Sequence, residues 1–272
     1  MDYVTLTETE WDQVGRVWDL LEEGKVERAR IELDALLRAR PGHPDLRIVD
    51  AAVCLDEGEP RRALQTLSGA ERSADPALFF HLRAVARFEL AEFEEARDDA
   101  ARALAVHPDL AEAHDLLART WDHLGDAERS RQHAEEAQAI DAESFPPPLE
   151  LADDDFDTLV EESLRELPAE VRRHLDELPI LVEPLPRREM LASEQPPLSP
   201  DLLGLFVGHH LLERRHDDVP GAPGAIFLFR KNLLRSCADR DELKREVRIT
   251  VQHEVGHLLG LDEDDLEQWG LA

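Results

Sequence analysis

The chain reads as an all-α array of helical repeats followed by a small α+β domain, and three observations predict this. Gly24, Gly58, Ala91 and Gly125 fall 34, 33 and 34 residues apart, the spacing of a repeated helix pair. Phe145-Pro146-Pro147-Pro148 then stops the last helix and stiffens a connector. Beyond it the pattern changes to short apolar runs between amphipathic segments, closing on His253-Glu254-Val255-Gly256-His257. The expected domains are 1–145, helical repeats, and 146–272, a small α+β domain with that motif on a helix.

In the first domain each spacing residue is followed five positions later by a small one: Ala29, Ala63, Ala96 and Ser130. Pro41, Pro76 and Pro108 recur near the unit ends, with Asp141-Ala142 in the fourth place. Small residues at a helix–helix contact and proline at a boundary define a unit of two helices, for instance Leu78 to Leu90 and Phe93 to Val106. Trp11, Trp18, Leu21, Phe79, Leu82, Phe88, Leu104, Leu116, Leu117 and Trp121 are the expected core. A single pair cannot bury its own apolar face, which is why such pairs are stacked. These features resemble tetratricopeptide repeats. The resemblance implies a groove that holds a peptide or a protein partner; the plainer reading is a helical cap on the second domain. Arg16, Arg30, Arg47, Arg83 and Arg87 are candidates for a carboxylate-binding groove, against ordinary solvated charge.

In the second domain Phe156, Leu159, Val160, Leu164 and Leu167 share one helical face, and Pro168 starts a further helix reaching Leu178. Ile180-Leu181-Val182 is a strand candidate, followed by a proline-rich segment from Pro184 to Pro200, a flexible or substrate-covering loop. Leu205-Phe206-Val207 and Ala225 to Phe229 are two more strands, with His209, His210 and His216 in a polar hairpin loop between them. The run from Ile226 to Phe229, if it lies at a sheet edge, would hold an extended peptide by main-chain pairing. Asp239 and Glu242 form a capping box that starts a helix near Arg240. Leu243, Val247, Val251, Glu254 and Leu258 give it a buried side, Lys244, Arg248 and Gln252 a polar stripe, and Gly260 its end.

On that helix His253 and His257, four residues apart, lie on one face and can aim their rings at a single point. Glu254 stands roughly 100° around from His253. Two neutral nitrogen ligands, a neighbouring carboxylate and open positions are what a hydrolytic zinc ion needs. Asp262, Glu263, Asp264 and Asp265 crowd the negative pole of the helix, where a cation would offset them.

From about Phe156 to Trp269 the chain resembles the minimal zincin-like metallopeptidases of bacteria. The resemblance rests on Pro200 to Phe206, Ile226 to Arg230, Leu234 to Cys237, and Glu246 through the motif to Asp262. It implies a compact zincin core in which His253 and His257 hold Zn2+ and Glu254 is the general base. The family pattern HExxHxxGxxD puts the third ligand on Glu263, where the family usually has aspartate, so Asp262 and Asp264 stay as alternatives. No methionine follows Glu263 and the only tyrosine is Tyr3, so zinc and Glu254 carry most of the chemistry.

Composition narrows the partners. A net charge of -30, from 31 Lys+Arg against 61 Asp+Glu, disfavours nucleic acid and anionic membranes. The first residues lack a basic, apolar leader, no apolar run approaches the roughly 20 residues of a membrane span, and Cys54 and Cys237 look like separate reduced thiols. The expectation is a cytoplasmic zinc metallopeptidase acting on a peptide or protein substrate. The competing class is a repeat adaptor whose zinc site is structural or vestigial.

Overall fold

The computed structural model describes residues 5–70, 75–175, 178–208 and 224–261. Contacts divide the chain into two compact units. One is Met1–Pro146 with Leu191–Ser199; the other is Pro147–Met190 with Pro200–Ala272.

The first unit is a tetratricopeptide-like stack of helix pairs: α1 (Glu8–Glu22) with α2 (Val26–Ala39), α3 (Pro44–Asp56) with α4 (Pro60–Leu67), α5 (Pro76–Glu89) with α6 (Phe93–Val106), and α7 (Ala111–His123) with α8 (Ala127–Ile140). The spacing residues turn each pair. Gly24, Gly58 and Gly125 have φ of 69°, 71° and 80°, and Ala91 takes the same left-handed conformation at 56°. The small residues five positions on are where helices touch, Ala29, Ala63 and Ala96 being fully buried. Helix α5 starts two residues before the expected Leu78, because Asp75 caps it by accepting from the Leu78 N–H and Pro76 fits the first turn.

Phe79, Leu82, Phe88, Leu116 and Leu117 are buried as expected, whereas Trp11 is 44% exposed. It stands in the first turn of α1, at the start of the array. Each of the five candidate arginines has a partner within the unit. Arg30 binds Glu57 and Asp50, Arg47 donates to the Ser68 carbonyl, Arg16 stands 3.6 Å from Glu32, and Arg83 and Arg87 both bind the fully buried Asp99 at 2.6 Å.

The second unit begins with α9 (Asp153–Arg165) and α10 (Ala169–Leu175), then β1 (Ile180–Glu183), the short α11 (Arg188–Leu191), β2 (Gly204–Val207), β3 (Ala225–Phe229), α12 (Arg230–Ser236) and α13 (Arg240–Leu258). The expected loop from Pro184 to Pro200 thus contains a helical turn, and its last part, Leu191–Ser199, belongs to the first unit. The sheet order is β1-β3-β2, with β1 parallel and β2 antiparallel to β3. This corrects the expectation for Ile226 to Phe229. β3 is the central strand, and Ile226, Leu228 and Phe229 are fully buried, so its main chain is already paired on both sides.

Helix α13 packs on α9, β2 and β3. Leu243, Val247 and Val251 are fully buried in the core with Phe156, Ile226 and Leu228, while Lys244 binds Glu162 of α9 and Arg248 binds Glu166, the residue that caps it, at 2.7 Å each. Asp239 caps the helix by accepting from the N–H groups of Asp241 and Glu242, and Glu242 reaches back to the Ala238 N–H at 2.6 Å. Cys54 and Cys237 are buried free thiols. Among the described residues no helix is long and apolar enough to cross a membrane.

Candidate metal centre

Helix α13 brings His253 and His257 together, with their Nε2 atoms 2.9 Å apart and their rings nearly perpendicular at 84°. The end of the helix sets the second ring. Gly260, at φ 81°, makes a left-handed stop in which the Gly260 N–H binds the His257 carbonyl and the Leu261 N–H binds the Gly256 carbonyl. That turn carries the Leu261 carbonyl to 3.3 Å from His257 Nδ1. A protonated Nδ1 donating there leaves the lone pair on Nε2, the usual device for orienting a ligating imidazole.

Two ring nitrogens at 2.9 Å share one proton in a hydrogen bond, and the same convergence can serve a metal in its place. Tetrahedral ligands at about 2.0–2.1 Å from zinc stand about 3.3–3.4 Å apart, so the pair fits that ion with ring rotations of a few tenths of an ångström. Glu263, Asp262 and Asp264, with His209, His210 and His216, lie outside the described residues.

Glu254 is 6% exposed, so a carboxylate sits in the protein interior beside the histidines. It is met by the peptide of β2: the Phe206 N–H donates to Oε2 at 2.6 Å. The geometry follows from the antiparallel ladder. Phe229 N–H binds the Leu203 carbonyl, so Leu203 and Leu205 turn their peptide groups toward β3 while Gly204 and Phe206 turn theirs away from it. Gly204 makes the approach possible, since a Cβ there would lie 2.5 Å from Thr250 Cγ2 and 3.1 Å from the Phe227 carbonyl oxygen. The sequence pattern singled out none of Gly204, the Phe206 N–H or Thr250. A glycine opening an apolar run was the available signal.

Two other features do not compete. A cavity of about 580 Å³ in the second unit is lined by Leu149, Leu151, Leu234 and Arg240 and not by the motif. Cys54, Glu57 and Glu59 gather donor atoms within 4.8 Å, but guanidinium groups already supply their positive charge. Arg30 reaches Cys54 Sγ at 3.3 Å and Glu57 at 2.7 Å, and Arg62 reaches Glu59 at 2.7 Å.

Residues 175–271 match the zincin-like metallopeptidase family. The match spans β1 through the motif-bearing α13, so the zincin-like domain is the part of the chain that holds His253, Glu254 and His257. No curated protein matches the chain. Solved structures similar to it include MamA, at 18% identity over 51% of this chain and 77% of that chain, with a TM-score of 0.40. PilW, described as a widely conserved type IV pilus biogenesis factor, is 13% identical over 62% of this chain and 91% of that chain, with a TM-score of 0.35. Likeness at this level says nothing about function, and the repeat architecture rests on the helix pairs themselves.

Proposed function

We propose that the zincin-like domain hydrolyses peptide bonds with zinc, and that the helical repeats recruit the peptide or protein substrate or a partner. The observation that carries this reading is the convergence of the two Nε2 atoms beside the buried carboxylate of Glu254. A structural zinc site needs its ligands alone; a carboxylate kept in the interior next to them is the part hydrolysis requires.

His253 and His257 would hold the ion, with Glu263 as the third ligand and Asp262 or Asp264 as the alternatives. A zinc ion there supplies Lewis-acid polarisation of water and of the scissile carbonyl. Glu254 takes the proton of the attacking water and passes it to the leaving amine, while the Phe206 N–H fixes one of its oxygens. With β3 central, β2 is an edge strand among the described residues, and its outward peptide groups other than the Phe206 N–H are suited to pair with an extended substrate. The chain is read as acting in the cytoplasm, with 146–272 as the catalytic domain and 1–145 as the recruiting array.

The test is a zinc assay and a peptide-library cleavage assay on one preparation, with Glu254→Gln alongside the parent. Zinc in both and cleavage only by the parent supports the peptidase. Equal behaviour of the two proteins in cleavage and in pull-downs would transfer the function to the repeats as an adaptor.

A further inference from the structure

Asn232 lies on α12, is 4% exposed, and donates from Nδ2 to the carbonyls of both Pro200 and Leu202 at 2.8 Å. Its Oδ1 is buried and has no hydrogen-bond partner among the described residues. An unsatisfied buried acceptor is unfavourable, so the amide is accounted for by its two donors. A side chain of this length that offers two N–H bonds from one atom is an asparagine.

The two acceptors are the carbonyls just ahead of β2, and the contacts continue without a gap. Leu203 accepts from the Phe229 N–H at 2.9 Å, which starts the ladder. Gly204 lays the strand directly on Thr250, one helical turn before Glu254. Phe206 then delivers its N–H to Glu254 Oε2 at 2.6 Å.

We propose that Asn232 is a positioning residue for Glu254. By holding the Pro200 and Leu202 carbonyls it sets the height of β2 on α13, and with it the peptide N–H that orients the carboxylate. This rests on Glu254 being the general base, and the test separates the two ideas.

Full-length Asn232→Asp removes both donors and sets an oxygen against two carbonyls; Asn232→Ser keeps one donor and buries no charge. Three quantities are compared with the parent: zinc per chain, kcat on a cleaved peptide, and the backbone amide proton shift of Phe206 in metal-free protein. The Ile226 amide, which binds the Pro179 carbonyl on the far side of β3, is the internal reference. Both variants are expected to keep their zinc, to lose on the order of tenfold to a hundredfold in kcat through the displaced base, and to shift the Phe206 amide upfield while Ile226 stays in place. An unmoved Phe206 amide in a folded variant overturns the proposal, as does loss of fold in both, which would make Asn232 a packing residue. If the parent cleaves no peptide, the reading of Glu254 as base fails on its own, and the Phe206 amide still decides whether Asn232 sets β2.

Discussion

Among the described residues each unit buries one carboxylate, and they treat it differently. In the repeats Asp99 is fully buried and surrounded by guanidinium groups, Arg83 binding both of its oxygens and Arg87 one of them, all at 2.6 Å. In the zincin-like domain Glu254 is nearly as buried, yet the group that meets it from β2 is a neutral peptide N–H. A charge neutralised by flexible cations serves packing, because its oxygens are taken up in ion pairs. A charge met by a backbone dipole is given a direction, which suits a group that has to accept and release a proton.

The largest effect expected from this contrast is on chemistry. Glu254→Gln should leave fold and zinc intact and lower peptide hydrolysis by about 10²–10⁴-fold. A cleavage assay on protein of verified zinc content reads it, and activity within twofold of the parent would erase the distinction drawn between the two carboxylates. His253→Ala or His257→Ala should instead empty the metal assay, from about one zinc per chain to none.

Asp99→Ala is the matching test in the repeats. It strands two partly buried guanidiniums and should cost about 3 kcal/mol, the low end for a broken buried pair, because both arginines reach solvent. The unfolding transition of the repeats should shift while zinc binding stays; a loss below about 0.5 kcal/mol would place Asp99 among exposed ion pairs.

A third test uses His81 of α5, whose buried Nδ1 has no partner among the described residues. Burial pushes its pKa down from 6.5 to about 4, with Glu112, Asp115 and Arg119 of α7 as the charges around it. The unfolded chain therefore takes up this proton first as pH falls. The contribution to stability is complete above pH 6.5, declines between 6.5 and 4, and levels off below 4. The decline should be about 2 kcal/mol, allowing for partial exposure. Denaturant melts across that window should flatten in His81→Leu, and an unchanged slope would assign the pH dependence to other groups.

The smallest effect belongs to Ala91, at φ 56°, in a place where the other units have glycine. Ala91→Gly should raise repeat stability by up to about 1 kcal/mol by relieving the left-handed strain. A lower Tm would show that the strain is already absorbed by the stack.

Much of this was legible in sequence because it is local or periodic. A spacing of 34, 33 and 34 residues marks a repeated helix pair whether or not the neighbours are known, and the structure adds that all four positions are left-handed turns. The placement of His253 and His257 on one face follows from helical geometry alone, as does the stop at Gly260. Trp11 was misjudged because apolar character does not say whether a neighbouring helix covers it.

The sequence by itself thus determined the repeat period, the motif-bearing helix and its two histidines, since each depends on contacts within about one turn or one repeat. The tertiary structure alone decided that β3 is central, that β2 lies against α13, and that Phe206 and Asn232 bear on Glu254. Those depend on strand order and on hydrogen bonds between residues 30 to 48 positions apart. A backbone N–H exists at almost every residue, so only the packed chain selects the one that meets the carboxylate.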